Sequence, residues 1–220
     1  MTLLVYALTS RGAGRLRLSG VGGERLHTIR IGSIDAVVGT VARSPRPTLR
    51  ILHDYDQVIR AIWKRRAAVL PARFGSMARD QAELEMAVRA RRDALRRQLA
   101  LVRHRAQMTV RIVEEQGEKG QGAGILSLPA EVTARSGTEY LRARARLREV
   151  RGFAPVRDAV RRWIKEERAE QRGAVSTIYH LVPRGAGAAY RRAIARAARS
   201  ARIPLHVSGP WPPYAFAEGW

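Results

Sequence analysis

The sequence contains no cysteine, which excludes disulfides, thiolate metal centres, iron–sulfur clusters and cysteine nucleophiles together. It has no apolar run near the roughly 18 to 20 residues that a membrane-spanning helix needs. The opening Met1-Thr2-Leu3-Leu4-Val5-Tyr6 has no basic start before its short apolar stretch, so it does not read as a secretory leader. A cytoplasmic protein without a membrane partner is the expectation. Acidic residues are also scarce, 19 Asp+Glu against 41 Lys+Arg, and of the basic residues only Lys64, Lys119 and Lys165 are lysines.

What is present supports a folded chain. At 220 residues with 45% hydrophobic and 27% charged residues, the composition is that of a globular protein of one large or two small domains. The net charge of +22 and pI of about 11.7 invite a nucleic-acid reading, because cations neutralise phosphates and release counterions. The excess is spread along the chain, however, with 21 basic and 8 acidic groups in residues 1–110 and 20 and 11 in residues 111–220. An arginine, alanine and glycine excess without a basic tail also fits a GC-rich genome choosing among tolerated surface residues.

Leu3 to Leu8 is a continuous apolar run of strand length, as for a central strand covered on both faces. After a glycine-bearing loop, Leu26 to Ile31 and Ile34 to Val41 are β-branched runs separated by Gly32-Ser33, a type II′ hairpin signature. Beyond Pro47 the period becomes helical, with Ile51, Leu52, Tyr55, Val58, Ile59, Ile62 and Trp63 on one stripe and Lys64-Arg65-Arg66 at the favourable C-terminal end. Val69 to Phe74 is extended, with Pro71 at a strand end or edge. Asp80 with Glu83 forms a capping-box pattern, and Leu84, Val88, Leu95, Leu99 and Val102 predict one long helix behind it.

Met108, Val110 and Ile112 alternate with Thr109 and Arg111, predicting a strand with one wet face. Glu114 to Gly124 reads as a surface loop. Helical patterns follow at Tyr140, Leu141, Leu147 and Val150 and at Val156, Val160, Trp163 and Ile164. The remaining elements are a strand over Val175 to Val182, a helix over Ala188 to Ala201 with Tyr190 and Ile194 inward, and a strand over Leu205 to Ser208. The order predicts an α+β protein of two ferredoxin-like layers joined near His104, with domains at residues 1–104 and 105–220.

Chemistry-bearing constellations are thin. No Ser, Thr or Lys stands beside a base in a recognisable arrangement, and His27, His53, His104, His180 and His206 are scattered. His53 and Asp56, three apart on a helix, share a face, but two ligands do not make a metal site. Gly117 to Gly122 departs from the phosphate-binding loop, and Arg151-Gly152-Phe153-Ala154 begins like an RNA-recognition signature until Pro155 breaks it. No enzyme, cofactor, metal or small-molecule substrate is expected. The ending is different in kind. Ser208-Gly209-Pro210-Trp211-Pro212-Pro213-Tyr214-Ala215-Phe216 sets three aromatics among three prolines, a ribbon that either tacks onto the protein's own core or presents Trp211, Tyr214 and Phe216 to a partner.

That terminus resembles the Gly-Pro-Trp-Pro-Pro-Tyr-x-Phe ending of the gas vesicle protein GvpL/GvpF family. Leu70-Pro71-Ala72-Arg73-Phe74-Gly75 is similar to the family's Leu-Pro-x-Arg-Phe-Gly stretch, and His53-Asp54 and Ser136-Gly137-Thr138-Glu139-Tyr140-Leu141 agree in order. The resemblance implies a minor gas vesicle component with a ferredoxin-like N-terminal domain and an α+β C-terminal domain. It implies an assembly accessory without enzymatic activity, cytoplasmic before it joins the vesicle, whose partners are the main shell protein and other accessory proteins. A shell that presents an apolar face to gas has an aggregation-prone subunit, which needs a partner to cover it. Arg73, Phe74, Trp211, Tyr214 and Phe216 are the candidate partner-binding residues. Phe74 is also expected in the core between sheet and helix, and Arg73 to need a carboxylate or carbonyl partner. A nucleic-acid-binding module of tandem ferredoxin-like domains is the alternative.

Overall fold

The computed structural model describes residues 2–12, 16–113 and 153–217. The expected loop at Glu114 to Gly124, the Ser136 to Leu141 segment and the helical pattern around Tyr140 to Val150 lie outside these residues. The chain divides into two compact units. One comprises the chain up to Gln107 together with the tail from Pro210, and the other runs from Met108 to Gly209.

The first unit is organised around β1 (Thr2–Ser10), which is apolar enough to be buried along nearly its whole length. It pairs antiparallel with β3 (Ile34–Val41) from Thr2 opposite Val41 to Ser10 opposite Ile34, with one irregularity between Val5 and Ala7. β2 (Leu26–Ile31) pairs with β3 through a two-residue turn in which Gly32 has φ +62° and Ser33 does not have a positive φ, as a type II′ turn requires. On the other side of β1 lie β4 (Val69–Pro71) and β5 (Met77–Ala78). Pro71 is the last residue of the edge strand β4, where its missing N–H costs no ladder bond. The order β2-β3-β1-β4 is that of the split βαβ pattern, but the described residues between β1 and β2 hold no helix, only a bridge from Ser19 to Arg25.

Helix α1 (Leu49–Arg65) is capped by Thr48, whose hydroxyl accepts from the Ile51 N–H, and it buries Tyr55, Ile59 and Ile62. Asp80 caps the next helix by accepting from the Glu83 N–H, but the predicted single long helix is two, α2 (Gln81–Ala90) and α3 (Arg92–Val102). Neither Gly nor Pro marks the break at Arg91. It follows from what lies beneath, since α2 packs against β2 and β5 while α3 packs against β4 and β1. A straight helix does not follow both.

In the second unit the elements are β6 (Arg105–Val113), α4 (Phe153–Val160), β7 (Glu166–Arg172), β8 (Val175–Pro183), α5 (Gly187–Ala201) and β9 (Leu205–Trp211), the sheet running β7-β8-β6-β9. Met108, Val110 and Ile112 meet Ile178 and Val182, and Phe153, Val156, Val160, Tyr190 and Ile194 close over them. One expectation is corrected here, and two further features come into view. Thr109 is buried, because β6 is an interior strand and its second face is covered there. Glu166-Glu167-Arg168-Ala169-Glu170-Gln171-Arg172 is a strand despite lacking any apolar alternation, as suits a charged sheet edge. Phe153 opens a helix with Pro155 in its first turn, so the RNA-signature segment supplies core rather than a stacking surface.

Candidate functional site

The two sequence motifs singled out at the residue level meet on α1. Its helical period turns Tyr55 inward, 5% exposed, and the phenol reaches three carbonyls, those of Val5 and Ala72 at 3.1 Å each and that of Arg73 at 3.4 Å. One proton shared among these acceptors fixes the path by which the chain leaves β4. Tyr6 stacks on Tyr55 at 5.1 Å and Phe74 meets it edge-on at 5.3 Å and 86°. The Tyr6 hydroxyl in turn donates to Glu24 at 2.5 Å and accepts from the Val21 N–H. Burial pushes the pKa of both tyrosines well up, and for Tyr6 the Glu24 carboxylate adds to it. Both stay neutral donors.

One helical position on, Asp56 faces the C-terminal tail. Strand β9 continues to Trp211, past the expected end at Ser208, and carries Pro210 on a sheet edge where no N–H is required. Pro212 and Pro213 then lead into a single 3₁₀ turn, Tyr214–Phe216. The Tyr214 hydroxyl donates to Asp56 Oδ1 at 2.5 Å, and Asp56 Oδ2 accepts from Arg60 Nε at 2.5 Å. The Arg60 guanidinium lies 4.1 Å above the Trp211 ring, a cation–π contact. The Ala215 N–H donates to the Gln107 side chain at 2.8 Å. Partial burial, then the hydrogen bond to Asp56, raise the Tyr214 pKa.

Of the five candidate partner-binding residues, Phe216 is fully buried, and its ring is a core anchor. Tyr214 remains 37% exposed, Trp211 and Phe74 are half-buried, and Arg73 is exposed. Phe74 packs at the margin of the first core rather than at its centre. The tail joins the first unit, not the 105–220 segment in which its sequence position places it, because its anchors Asp56, Arg60 and Gln107 all belong there. Asp56 and Arg60 carry no sequence signal for this role. The i, i+4 acid–base spacing reads as an ordinary surface pair.

The other polar cluster is internal to the second unit. His180 is fully buried; its Nδ1 meets the Tyr190 hydroxyl at 2.6 Å and its Nε2 meets Glu167 at 2.9 Å. The Arg157 Nε donates to both Glu167 oxygens, at 2.9 and 3.2 Å. Burial alone would raise the Glu167 pKa, but the hydrogen bonds from His180 and Arg157 outweigh it and hold it at about 2. Each group is paired with another, from the buried His180 and Tyr190 out to the part-exposed Arg157, as in a satisfied network. His53 is exposed and contacts Asp54 and Gln57, while Asp56 is committed to Tyr214 and Arg60. Among the described residues no cluster of three or more metal-binding side chains occurs, and no helix is long and apolar enough to cross a membrane.

These features define an α+β protein with two antiparallel sheets whose aromatic terminus is fastened onto its first helix. Residues 2–218 match the model of the gas vesicle synthesis protein GvpL/GvpF family, and the chain belongs to that family. The fold is that of gas vesicle protein GvpF from Microcystis aeruginosa, with a TM-score of 0.73 at 12% identity over 99% of both chains. It is equally similar to GvpF from Anabaena sp. PCC7120, with a TM-score of 0.74 at 12% identity over 100% of this chain and 99% of that one. No match was found among curated proteins.

Proposed function

We propose that this protein is an assembly accessory of the gas vesicle that binds the main shell protein and keeps it from aggregating while the vesicle nucleates and grows. The reading is carried by the match to gas vesicle synthesis proteins across residues 2–218. The physical need is general. A subunit destined to line gas exposes apolar surface before assembly, and a soluble partner that covers it lowers the concentration of the aggregating species. Binding to other accessory proteins and residence on the vesicle belong to the same proposal, as does the absence of catalysis.

The docking face assigned to the shell protein is the strip on the first unit formed by Arg73, Phe74, Trp211 and Tyr214. It offers aromatic edges with an exposed cation beside them, the residue types enriched where partners anchor. Phe216 holds the strip in place from beneath. The test is to refold the main shell protein by dilution with and without an equimolar amount of this chain, and to follow light scattering and co-sedimentation. Suppressed scattering with a recoverable complex is expected, and Arg73→Ala with Trp211→Ala should abolish the complex while the variant stays folded. Unchanged scattering and no complex would overturn the proposal.

A further inference from the structure

The stretch that joins β3 to α1, residues 42–48, reads Ala-Arg-Ser-Pro-Arg-Pro-Thr and belongs to no helix or strand. All of it except Pro45 is exposed. Pro45 and Pro47 fix their own φ and push Ser44 and Arg46, the residues before them, out of the helical region, so the chain is held extended. No Asp or Glu occurs between Asp35 and Asp54, whereas Arg43, Arg46 and Arg50 fall within that interval. Arg50 leans on Asp54 at 3.9 Å. Arg43 and Arg46 have no ion-pair partner among the described residues.

Ser44 differs from the other exposed hydroxyl residues among those described. Ser33 sits in the tight turn between β2 and β3, Thr40 is in β3, Ser200 is on α5, and Thr48 is engaged as the cap of α1. Ser44 combines exposure with an extended backbone outside any element and a hydroxyl tied to no other described group. It also lies beside the docking strip. Gly75, with φ +83°, belongs to the turn in which the Ser76 N–H donates to the Arg73 carbonyl at 3.0 Å. A Cβ added at Gly75 would stand 3.9 Å from the Ser44 hydroxyl oxygen, so Ser44 borders the segment that carries Arg73 and Phe74.

We infer that Ser44 is a phosphorylation site and that its phosphate weakens docking at the adjoining strip. A serine/threonine protein kinase needs its target hydroxyl exposed on a segment that fits an open active site, and it selects among such segments by the charges on either side. Residues 42–48 offer both. In the step, the Ser44 oxygen bonds to the γ-phosphorus of ATP as the bond from that phosphorus to the bridging oxygen breaks; ADP leaves, and the hydroxyl proton passes to the kinase's catalytic aspartate. The product carries a charge of roughly −1.5 to −2, and Arg43 and Arg46 stand beside it to donate charge-assisted hydrogen bonds. At the rim of a strip of aromatic edges, that charge must lose its water when a partner covers it, which opposes docking. The effect on docking rests on the function proposed above, whereas the modification itself does not.

The test begins with the intact mass of the full chain purified from the cells that make it, before and after phosphatase treatment. One phosphoryl group is expected on a fraction of the chains, absent from Ser44→Ala and retained in Ser200→Ala. Both positions are exposed, so both variants should keep the thermal transition of the wild type. The phosphorylated and phosphatase-treated chains are then compared for co-sedimentation with the main shell protein, and the phosphorylated form should bind about tenfold more weakly. No phosphoryl group, or one that persists in Ser44→Ala, overturns the site. Equal affinity of the two forms overturns its effect on docking. If neither form binds the shell protein, the docking reading fails and the regulatory role with it, while the mass measurement still decides whether Ser44 is modified.

Discussion

The phenol of Tyr214 donates to the carboxylate of Asp56 across 158 positions of sequence, so the end of the chain is latched to its first helix. Asp56 spends its second oxygen on Arg60, which in turn covers Trp211. Removing the phenol leaves Asp56 one partner and some access to water. Tyr214→Phe should therefore lower stability by only about 1 kcal/mol. Asp56→Ala removes the latch and releases Arg60 from its orientation over Trp211, and about 2 kcal/mol is expected. Urea unfolding of both single variants and the double variant measures this, with the double costing less than the sum. Strict additivity would mean that Tyr214 and Asp56 contribute independently and that their hydrogen bond does not act as a latch.

Tyr55 makes a sharper case, because its partners are buried backbone carbonyls. Tyr55→Phe preserves the stacking on Tyr6 and Phe74 but takes the proton away from the carbonyls of Val5, Ala72 and Arg73. A loss of about 1 to 3 kcal/mol is expected, accompanied by faster amide exchange in β4. If Tyr55→Phe melts with the wild type, the hydroxyl is not what holds the exit of β4.

The elements that the sequence disclosed are those whose apolar residues face a single core. The all-apolar run of Leu3 to Leu8, the stripe of Tyr55, Ile59 and Ile62 and the inward Tyr190 and Ile194 all sit as their periods require. Strand β7 was not legible, since an edge strand of Glu, Arg and Gln gains its pairing from the backbone of β8 and leaves no hydrophobic trace. The break at Arg91 was hidden too, because Leu84, Val88 and Leu95 keep one stripe while the surface beneath them changes. For the candidate strip, the motif residues stood out by their rarity. Asp56 and Arg60, which organise two of them, look like any surface pair until the tail is seen lying on them.

Acid should act first on the second unit. The pKa of Glu167 is depressed to about 2 from an ordinary 4.5. A depressed carboxylate contributes stability that is fully present above its unfolded pKa and is lost as pH falls through the folded one, here between about pH 4.5 and pH 2. The contribution is at most about 3 kcal/mol. Glu167→Gln should remove it, flattening the acid limb of the stability curve in that window. It should also destabilise at neutral pH, because Arg157 and the buried His180 lose their carboxylate. Equal acid sensitivity in Glu167→Gln and wild type would place the acid-labile group elsewhere.

Truncation after Gly209 distinguishes the tail's structural role from its place in the sequence. By position the tail continues the second unit, and a loss there would be the naive outcome. Its contacts say otherwise: Phe216 is buried, Ala215 is held by Gln107, and Tyr214 and Trp211 rest on Asp56 and Arg60. Removing residues 210–220 should speed amide exchange in α1 and β4 while β8 and α5 keep their protection. Phe216→Ala alone, which opens a cavity beneath the latch, should cost about 3 to 5 kcal/mol with the same pattern. Trp211→Ala removes a half-buried ring and should cost less. Its larger effect is expected on shell-protein binding, so stability and docking come apart along the tail, with the buried Phe216 governing the first and the half-exposed Trp211 the second. Loss of binding in Phe216→Ala at temperatures well below its transition, with Trp211→Ala binding normally, would reverse that assignment.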